Sequence, residues 1–279
     1  MTLSVAWIRK VNKTEELVIA TDSRLRWGRA WDSCPKIFPL SRQDSVICFA
    51  GMTEYAYPIM AQVNNAVSMY RKSATRAMDI TDLKGHILRM IEGMRTHIHD
   101  LPSGKDAFEK PEAMFLLAGF SWKTQTFKIW TLYYNEKIGE FSFRKASSHR
   151  KRTDGSKFYA FIGDNVSEAR TKTLELLKER GKLDTPGLDM EPFEVLRDMI
   201  RSDEFPRIGG PPQIVKIYKH MNVMPYTVYW PNKESGKKTY LGRPLLDYED
   251  NDFLNLDPDT LEVGESNKSM QPTAEAAAD

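Results

Sequence analysis

The second residue of the sequence is a threonine, and its place beside the chain start permits a specific chemistry. Removal of Met1 would leave the α-amine of Thr2 next to its own hydroxyl. A hydroxyl is a weak nucleophile at neutral pH unless a base lies beside it, and an α-amine has an ordinary pKa of roughly 7.7–8.0. Thr2 could therefore supply both nucleophile and base. Many proteins have a small residue here, so Thr2 alone does not indicate an enzyme.

A second group of polar residues follows an apolar run. Residues 18–21 are Val-Ile-Ala-Thr, and Asp22, Ser23 and Arg24 come directly after them. The end of a strand fixes the direction of polar side chains, although the same residue types also form ordinary turns. Lys36 lies in an apolar stretch, and a buried lysine is costly unless an acid pairs with it. We therefore predict an ion pair between Asp22 and Lys36.

Other reactive side chains favour no separate chemistry. Cys34 lies two residues before Lys36, whose charge would lower the pKa of a thiol, but we favour a pocket-lining role for it. His97 and His99 are two positions apart on a predicted helix, so they point to different faces. With only two cysteines in the chain, a zinc cluster is excluded. We predict no metal site and no cofactor.

The elements that must position these residues follow from hydrophobic periodicity. Strands are predicted at residues 3–8, 17–21, 36–40, 46–50, 113–122, 127–134, 138–143, 158–162, 213–218, 226–230 and 239–241. Helices are predicted at residues 56–70, 80–98, 166–179 and 193–201. Blocks of strands that alternate with pairs of helices indicate an α+β fold, with two packed sheets and helices outside them.

Composition restricts the class of protein. The chain has 279 residues, of which 41% are hydrophobic, and its formal net charge is +2. This apolar content excludes a globally disordered chain, and no apolar run approaches the ~18 residues of a membrane span. No basic segment precedes the first apolar stretch, so we expect no signal peptide and a cytoplasmic protein without a membrane partner.

The charge is distributed unevenly. Residues 250–279 contain eight acids and one base, and we predict one domain over 1–249 followed by an acidic, disordered tail over 250–279. Residues 144–157 are rich in bases but have aromatic residues only at their edges. Nucleic-acid sites usually interleave the two, so we interpret this segment as a solvated loop and expect no nucleic-acid partner.

Taken together, several of these motifs resemble one known family. Thr2, the run Val18-Ile19-Ala20-Thr21-Asp22-Ser23-Arg24, Lys36-Ile37 and Phe49-Ala50-Gly51 occur in the order found in proteasome β-type subunits and their bacterial HslV-like relatives. These proteins are N-terminal-nucleophile (Ntn) hydrolases. The resemblance covers about residues 2–70 and implies a four-layer αββα sandwich.

The resemblance also implies a role for each matched residue. Thr2 Oγ would attack the scissile carbonyl while its α-amine relays the proton through a water. Lys36 would lower the pKa of the hydroxyl, Asp22 would orient Lys36, and the N–H of Gly51 would stabilise the oxyanion.

Further residues are implied around this centre. Ser23 and Arg24 would support it. The substrate pocket would be largely apolar, which predicts a preference for hydrophobic residues before the cleaved bond; its implied residues are Leu25, Cys34, Phe38, Phe49 and Thr53.

The second half departs from the family pattern. Gly163-Asp164-Asn165 stands where the family has Gly-Ser-Gly, and Asp164 would replace the serine as a hydrogen-bond acceptor. Asp203 lies near the expected acid, and Ile208 replaces a serine before Gly209-Gly210.

These residues predict a threonine endopeptidase, activated by loss of Met1 alone and acting on peptides or unfolded proteins. The family places its sites inside stacked rings, so the resemblance implies a homo-oligomer; an ATPase or other regulator is not identifiable. Two alternatives stay open. The chain could be an inactive scaffold that retains Met1, or an Ntn amidase that acts on a small molecule.

Overall fold

The computed structural model describes residues 2–26, 28–98, 111–149, 157–249 and 251–264. The strands are β1 Leu3–Val11, β2 Thr14–Thr21, β3 Leu25–Arg26, β4 Ala30–Trp31, β5 Ile37–Pro39, β6 Ser45–Gly51, β7 Ala113–Ser121, β8 Thr126–Asn135, β9 Glu140–Lys145, β10 Ser147–His149, β11 Lys157–Gly163, β12 Gln213–Ile217, β13 Val223–Tyr229, β14 Lys238–Tyr240, β15 Arg243–Pro244, β16 Asn255–Leu256 and β17 Val263–Gly264. The helices are α1 Thr53–Met69, α2 Arg71–Ala74, α3 Ile80–Arg95, α4 Val166–Glu179 and α5 Glu191–Arg201.

Two mainly antiparallel sheets form the centre of the chain. The larger has the strand order β10-β11-β1-β2-β12-β13-β14-β15, and β16 and β17 extend it from β13. The smaller has the order β5-β6-β7-β8-β9, and β3 and β4 form a separate hairpin. The strand β1 lies between β2 and β11, so the start of the chain is held inside the larger sheet.

Alternation along the strands sorts the buried side chains into separate clusters. In β1, Val5 packs in a cluster with α4 and α5, while Ala6 packs in a cluster to which both sheets contribute. In β6, Phe49 packs in a cluster with α1 and α3, while Cys48 joins the cluster shared by the sheets. Neighbouring residues of one strand therefore pack on opposite faces of its sheet, one in the cluster to which both sheets contribute and the other in a cluster that includes helices.

Local signals set where two of the helices begin. Asp79 precedes α3, and its carboxylate accepts a hydrogen bond of 2.9 Å from the backbone N–H of Thr81, which satisfies one of the free donors of the first turn. The helix α4 follows Asn165, whose left-handed backbone (φ 53°) turns the chain sharply after β11. This turn holds Asp164 between a strand and a helix.

The mixed α/β class, predicted from the strand blocks and helix pairs, is confirmed, and most strand pairs in the sheets are antiparallel. Each predicted strand and helix has a counterpart within a few residues, and the helix at 166–179 has the predicted bounds. The hairpin β3–β4 and the strands β10, β15, β16 and β17 were not predicted, because elements of two or three residues are too short for a periodic pattern.

The boundary at residue 249 needs correction. The strand β16 pairs in parallel with β13, with Thr227 opposite Asn255 and Val228 opposite Leu256. Leu256 is buried, and Asn255 Oδ1 accepts a hydrogen bond of 2.6 Å from Thr227 Oγ1. The folded unit therefore includes residues 251–264, since a buried apolar side chain and a strand pairing outweigh the acidic composition around them.

Two sequence-based expectations fall outside the described residues. The centre of the basic segment, residues 150–156, and the end of the acidic segment, residues 265–279, are not described. In the described ranges, no helix is long and apolar enough to cross a membrane.

Candidate active site

Thr2 lies fully buried just before β1. Both its backbone nitrogen and its carbonyl oxygen are hydrogen-bonded to Asp164. The backbone nitrogen of Thr2 donates to Asp164 Oδ2 at 2.9 Å. The carbonyl oxygen of Thr2 accepts from the backbone N–H of Asp164 at 2.6 Å. The first residues of the chain are therefore fixed by a residue that follows β11.

Gly163 makes this close approach possible. Its φ is +108°, and a Cβ there would lie 1.8 Å from the carbonyl oxygen of Thr2 and 3.2 Å from the Cβ of Ala50. Only glycine avoids both the steric conflict and the backbone strain. The contacts bring the end of β11, the start of β1 and the end of β6 together, and Ala50 is followed directly by Gly51.

The predicted pair of Asp22 and Lys36 is present in the structure, fully buried. Lys36 Nζ lies 2.8 Å from Asp22 Oδ1. The same carboxylate accepts from the backbone N–H groups of Leu3, Arg24 and Gly209, each at 3.1 Å. A buried ion pair is tolerated when further hydrogen bonds satisfy its remaining lone pairs, and these three donors do so.

The charge of Lys36 belongs to the same electrostatic environment as Thr2. Burial lowers the pKa of Lys36, while Asp22, and more weakly Asp164, act in the opposite direction. Asp164 is the residue bonded to Thr2, and Asp22 is bonded to the adjacent Leu3. Thr2 therefore contacts one carboxylate directly, and its neighbour Leu3 contacts the carboxylate that pairs with Lys36.

Gln213, at the start of β12, is a buried member of this region that the sequence did not indicate. Its Oε1 accepts from the backbone N–H groups of Lys36 at 3.0 Å and Ile37 at 3.3 Å. Its Nε2 donates to Ser23 Oγ at 2.9 Å and to the carbonyl oxygen of Cys34 at 2.7 Å. One amide therefore fixes the segment that carries Lys36 against the end of β2. A polar residue at the start of an apolar strand was the available signal.

The side chain of Arg24 contacts Asp32, the residue after the hairpin β3–β4, while only its backbone N–H contacts the ion pair. Its Nε and Nη2 donate to the two carboxylate oxygens of Asp32 at 2.6 and 2.7 Å. A Cβ on Gly209 would lie 2.4 Å from the guanidinium carbon of Arg24, so this glycine provides the space. The hydrogen bonds from Arg24 lower the pKa of Asp32.

A cavity of about 1410 Å³ opens beside these residues. Its wall includes Gly51, Gly163 and Asp164, together with aromatic side chains from the hairpin and the smaller sheet. Among the residues implied as a substrate pocket, those in the wall are Leu25, Cys34 and Thr53.

The two remaining pocket residues lie behind the wall. Phe49 is fully buried, and its ring packs edge-on against Tyr57 with ring centres 5.0 Å apart. The ring of Phe38 also packs against Tyr57, with ring centres 6.1 Å apart. Tyr57 itself lines the cavity and donates a hydrogen bond of 2.6 Å to the carbonyl oxygen of Pro35. Tyr57 therefore lines the cavity and packs against both phenylalanines.

Gly51 lies in the cavity wall, and its backbone conformation permits only glycine at this position. Its φ is +107°, and a Cβ would lie 2.0 Å from the carbonyl oxygen of Glu112. That oxygen accepts a hydrogen bond of 2.7 Å from the N–H of Met52. The close contact fixes the peptide groups at the end of β6.

Three other predicted features have clear positions. Asp203 is exposed in the segment after α5, while Ile208, which follows in the same segment, is buried in the core. Burial raises the pKa of the Cys34 thiol and outweighs the opposing effect of Lys36, so Cys34 is not an activated thiolate. The paired histidines of the sequence analysis cannot be compared, because His99 lies outside the described residues. Within the described residues there is no cluster of side chains that could hold a metal ion.

Comparison with known proteins establishes the fold. No family model and no curated protein sequence matches the chain. The chain is similar to the solved structure of a Gly-1 mutant of Anbu from Hyphomicrobium sp. strain MC1, with a TM-score of 0.54 and 14% sequence identity. The match covers 80% of this chain and 85% of that chain. At this identity the similarity shows a shared mixed α/β fold and nothing further.

Proposed function

We propose that the chain is an N-terminal threonine peptidase with the four-layer αββα sandwich of the Ntn hydrolases, and that Thr2 becomes its nucleophile once Met1 is removed. The observation that carries this proposal is the arrangement around Thr2. Its backbone nitrogen contacts Asp164 at 2.9 Å, and the next residue contacts the Asp22–Lys36 pair. The fold shared with Anbu supports the proposal.

The reaction would proceed in two stages. Thr2 Oγ attacks the carbonyl carbon of the substrate, and its proton passes to the α-amine through a water. When the peptide C–N bond breaks, the proton leaves with the departing amine, and the acyl group remains on Oγ as an ester. A second water then attacks the ester with the α-amine as base, which releases the acid and restores the hydroxyl.

The neighbouring groups would lower the barriers of these steps. The positive charge of Lys36 favours the alkoxide character of Oγ in the transition state, and Asp22 orients the ammonium group. The N–H of Gly51 is proposed to stabilise the oxyanion, a class of contribution typically worth about 3 kcal/mol. Its rigid backbone at the end of β6 supports this role, because a preorganised donor needs no rearrangement during the reaction.

The cavity favours a peptide over a small amide as substrate. At about 1410 Å³ it exceeds the ~300–1,000 Å³ typical of small-molecule sites. Leu25, Cys34 and Tyr57 give it an apolar portion, so we propose cleavage after hydrophobic residues. A peptide library that is cleaved only after charged residues contradicts this preference.

The test of the function begins with the intact mass of the purified protein, which reports whether Met1 is lost. Hydrolysis of fluorogenic peptides is then compared between the native chain, Thr2→Ala and Thr2→Ser. We expect Thr2→Ala to be inactive and Thr2→Ser to keep measurable activity, because only the latter retains a hydroxyl. Equal rates for the native chain and Thr2→Ala exclude the mechanism.

An inactive scaffold is the second candidate, and one observation favours it. Ile208 occupies a buried position where the family pattern has a serine, so this part of the polar network is replaced by an apolar side chain. Retention of Met1 together with the absence of hydrolysis supports the scaffold. In either case we propose a homo-oligomer, which light scattering of the purified protein can test.

A further inference from the structure

Asp164 gives the backbone nitrogen of Thr2 a negatively charged partner. Asp164 Oδ2 lies 2.9 Å from this nitrogen, which is a peptide N–H while Met1 is attached. In the chain that begins at Thr2 the same atom is an α-ammonium group. The hydrogen bond is already charge-assisted through the carboxylate, and with an ammonium donor it would become an ion pair.

The turn around Asp164 keeps its carboxylate at this place. Gly163 and Asn165, on either side, have φ values of +108° and +53°. The backbone N–H of Asp164 is bonded to the carbonyl oxygen of Thr2, and α4 begins at Val166. Because the backbone is fixed on both sides, the carboxylate is kept within reach of the Thr2 nitrogen.

The other charged groups nearby leave the Asp164 carboxylate available to an amine. Lys36 is paired with Asp22 at 2.8 Å, and both are fully buried. Arg207 Nη1 approaches Asp164 Oδ1 only to 3.9 Å, and its side chain is 56% exposed. A long, solvent-exposed ion pair of this kind contributes little.

From this geometry we propose that the carboxylate of Asp164 holds the α-ammonium group of Thr2 in its charged form, so that hydrolysis requires a higher pH than it would with an uncharged side chain at this position. This inference rests on the proposed function only in that Thr2 must be the first residue. Asp164 is a positioning residue, since it acts on the amine and not on the substrate.

The consequence concerns the amount of usable base. The amine accepts the proton of Thr2 Oγ only when it is neutral. A neighbouring anion favours the ammonium form, and therefore the acidic limb of the activity profile moves to higher pH. In return, Asp164 holds the ammonium group of Thr2 in one orientation while no substrate is bound.

The experiment measures the amine directly and does not depend on hydrolysis. Full-length chains that begin at Thr2 are produced by cleaving an N-terminal fusion partner immediately before this residue. The rate at which acetic anhydride labels the Thr2 amine is followed by mass spectrometry between pH 5 and pH 10. The pH of half-maximal labelling is compared for the native chain, Asp164→Asn and Asp164→Ser. Glu168→Gln is the control, because it removes an exposed carboxylate from the first turn of α4.

We expect the half-maximal pH to fall by about one unit in Asp164→Asn and Asp164→Ser, because the anion is lost. Glu168→Gln should change it by no more than about 0.2 units, since exposed charges are screened. If Asp164→Asn does not fold, Asp164→Ser alone decides. An unchanged half-maximal pH overturns the inference even when peptides are hydrolysed. A lower half-maximal pH in the Asp164 variants, without any peptide hydrolysis, supports the inference and contradicts only the peptidase proposal.

Discussion

At the scale of single residues, the Asp22 carboxylate joins parts of the chain that are distant in sequence. It contacts Lys36 Nζ and the backbone N–H groups of Leu3, Arg24 and Gly209. The start of β1, the end of β2 and the segment before β12 are thereby fixed to one side chain. Asp22 therefore contributes both to the stability of the fold and to the electrostatics of the site, and the following variants separate these two contributions.

Lys36→Met tests the cation. The substitution keeps most of the side-chain volume but leaves Asp22 as a buried charge without its cation, which typically costs about 3–5 kcal/mol. We expect this loss in the free energy of unfolding, measured with urea, together with loss of peptide hydrolysis.

The double variant Asp22→Asn/Lys36→Met separates stability from chemistry. Removing both charges should recover a large part of the lost stability, because the uncompensated carboxylate is gone. Activity should remain absent, because the cation beside Thr2 is still missing. Hydrolysis by the double variant at the native rate contradicts the role assigned to Lys36.

At the scale of elements, the end of β11 determines how the start of β1 is placed. Gly163→Ala introduces a Cβ that would lie 1.8 Å from the carbonyl oxygen of Thr2. We expect a loss of several kcal/mol, larger than the ~1 kcal/mol of an unfavourable φ alone. Gly181→Ala is the matched control, because Gly181 has a φ of +64° and no atom within 4 Å of the added carbon. Equal losses in the two variants, measured by thermal unfolding, contradict the close contact.

The hairpin β3–β4 depends on pH through Arg24 and Asp32. Arg24 lowers the pKa of Asp32 below its ordinary value of 3.8. The pair therefore contributes stability above that value, and the contribution is lost as the pH falls through the lowered pKa. Both side chains are partly exposed, so we expect Asp32→Asn to cost less than about 1 kcal/mol at pH 7. The difference from the native chain should vanish in acid; a difference that is constant with pH contradicts the pairing.

At the scale of the whole molecule, residues 251–264 belong to the folded unit. Leu256→Ala should cost about 2–5 kcal/mol, because its side chain is buried in the cluster beneath α4 and α5. Val263→Ala, on the exposed strand β17 of the same segment, should change stability by less than about 0.5 kcal/mol. Urea unfolding compares the two, and an unchanged Leu256→Ala variant contradicts the docking of this segment.

Hydrophobic periodicity predicted the long elements because each of them carries enough residues for a pattern. The motif at residues 22–24 and Lys36 predicted the central ion pair, because a buried lysine requires an acid. For Gln213 the sequence offered only the weak signal of a polar residue at the start of an apolar strand, because its hydrogen bonds join residues 177 and 190 positions earlier. The acidic composition also concealed β16, since two buried residues hardly affect an average over thirty.

The two hydrogen bonds between Thr2 and Asp164 can form only late in synthesis. The two residues are 162 positions apart, and at about 5–20 residues per second Asp164 leaves the ribosome roughly 8–32 s after Thr2. Until then Thr2 lacks both of its backbone hydrogen bonds to Asp164. Afterwards Thr2 is fully buried. A nascent fragment shorter than 164 residues therefore cannot assemble this arrangement at all.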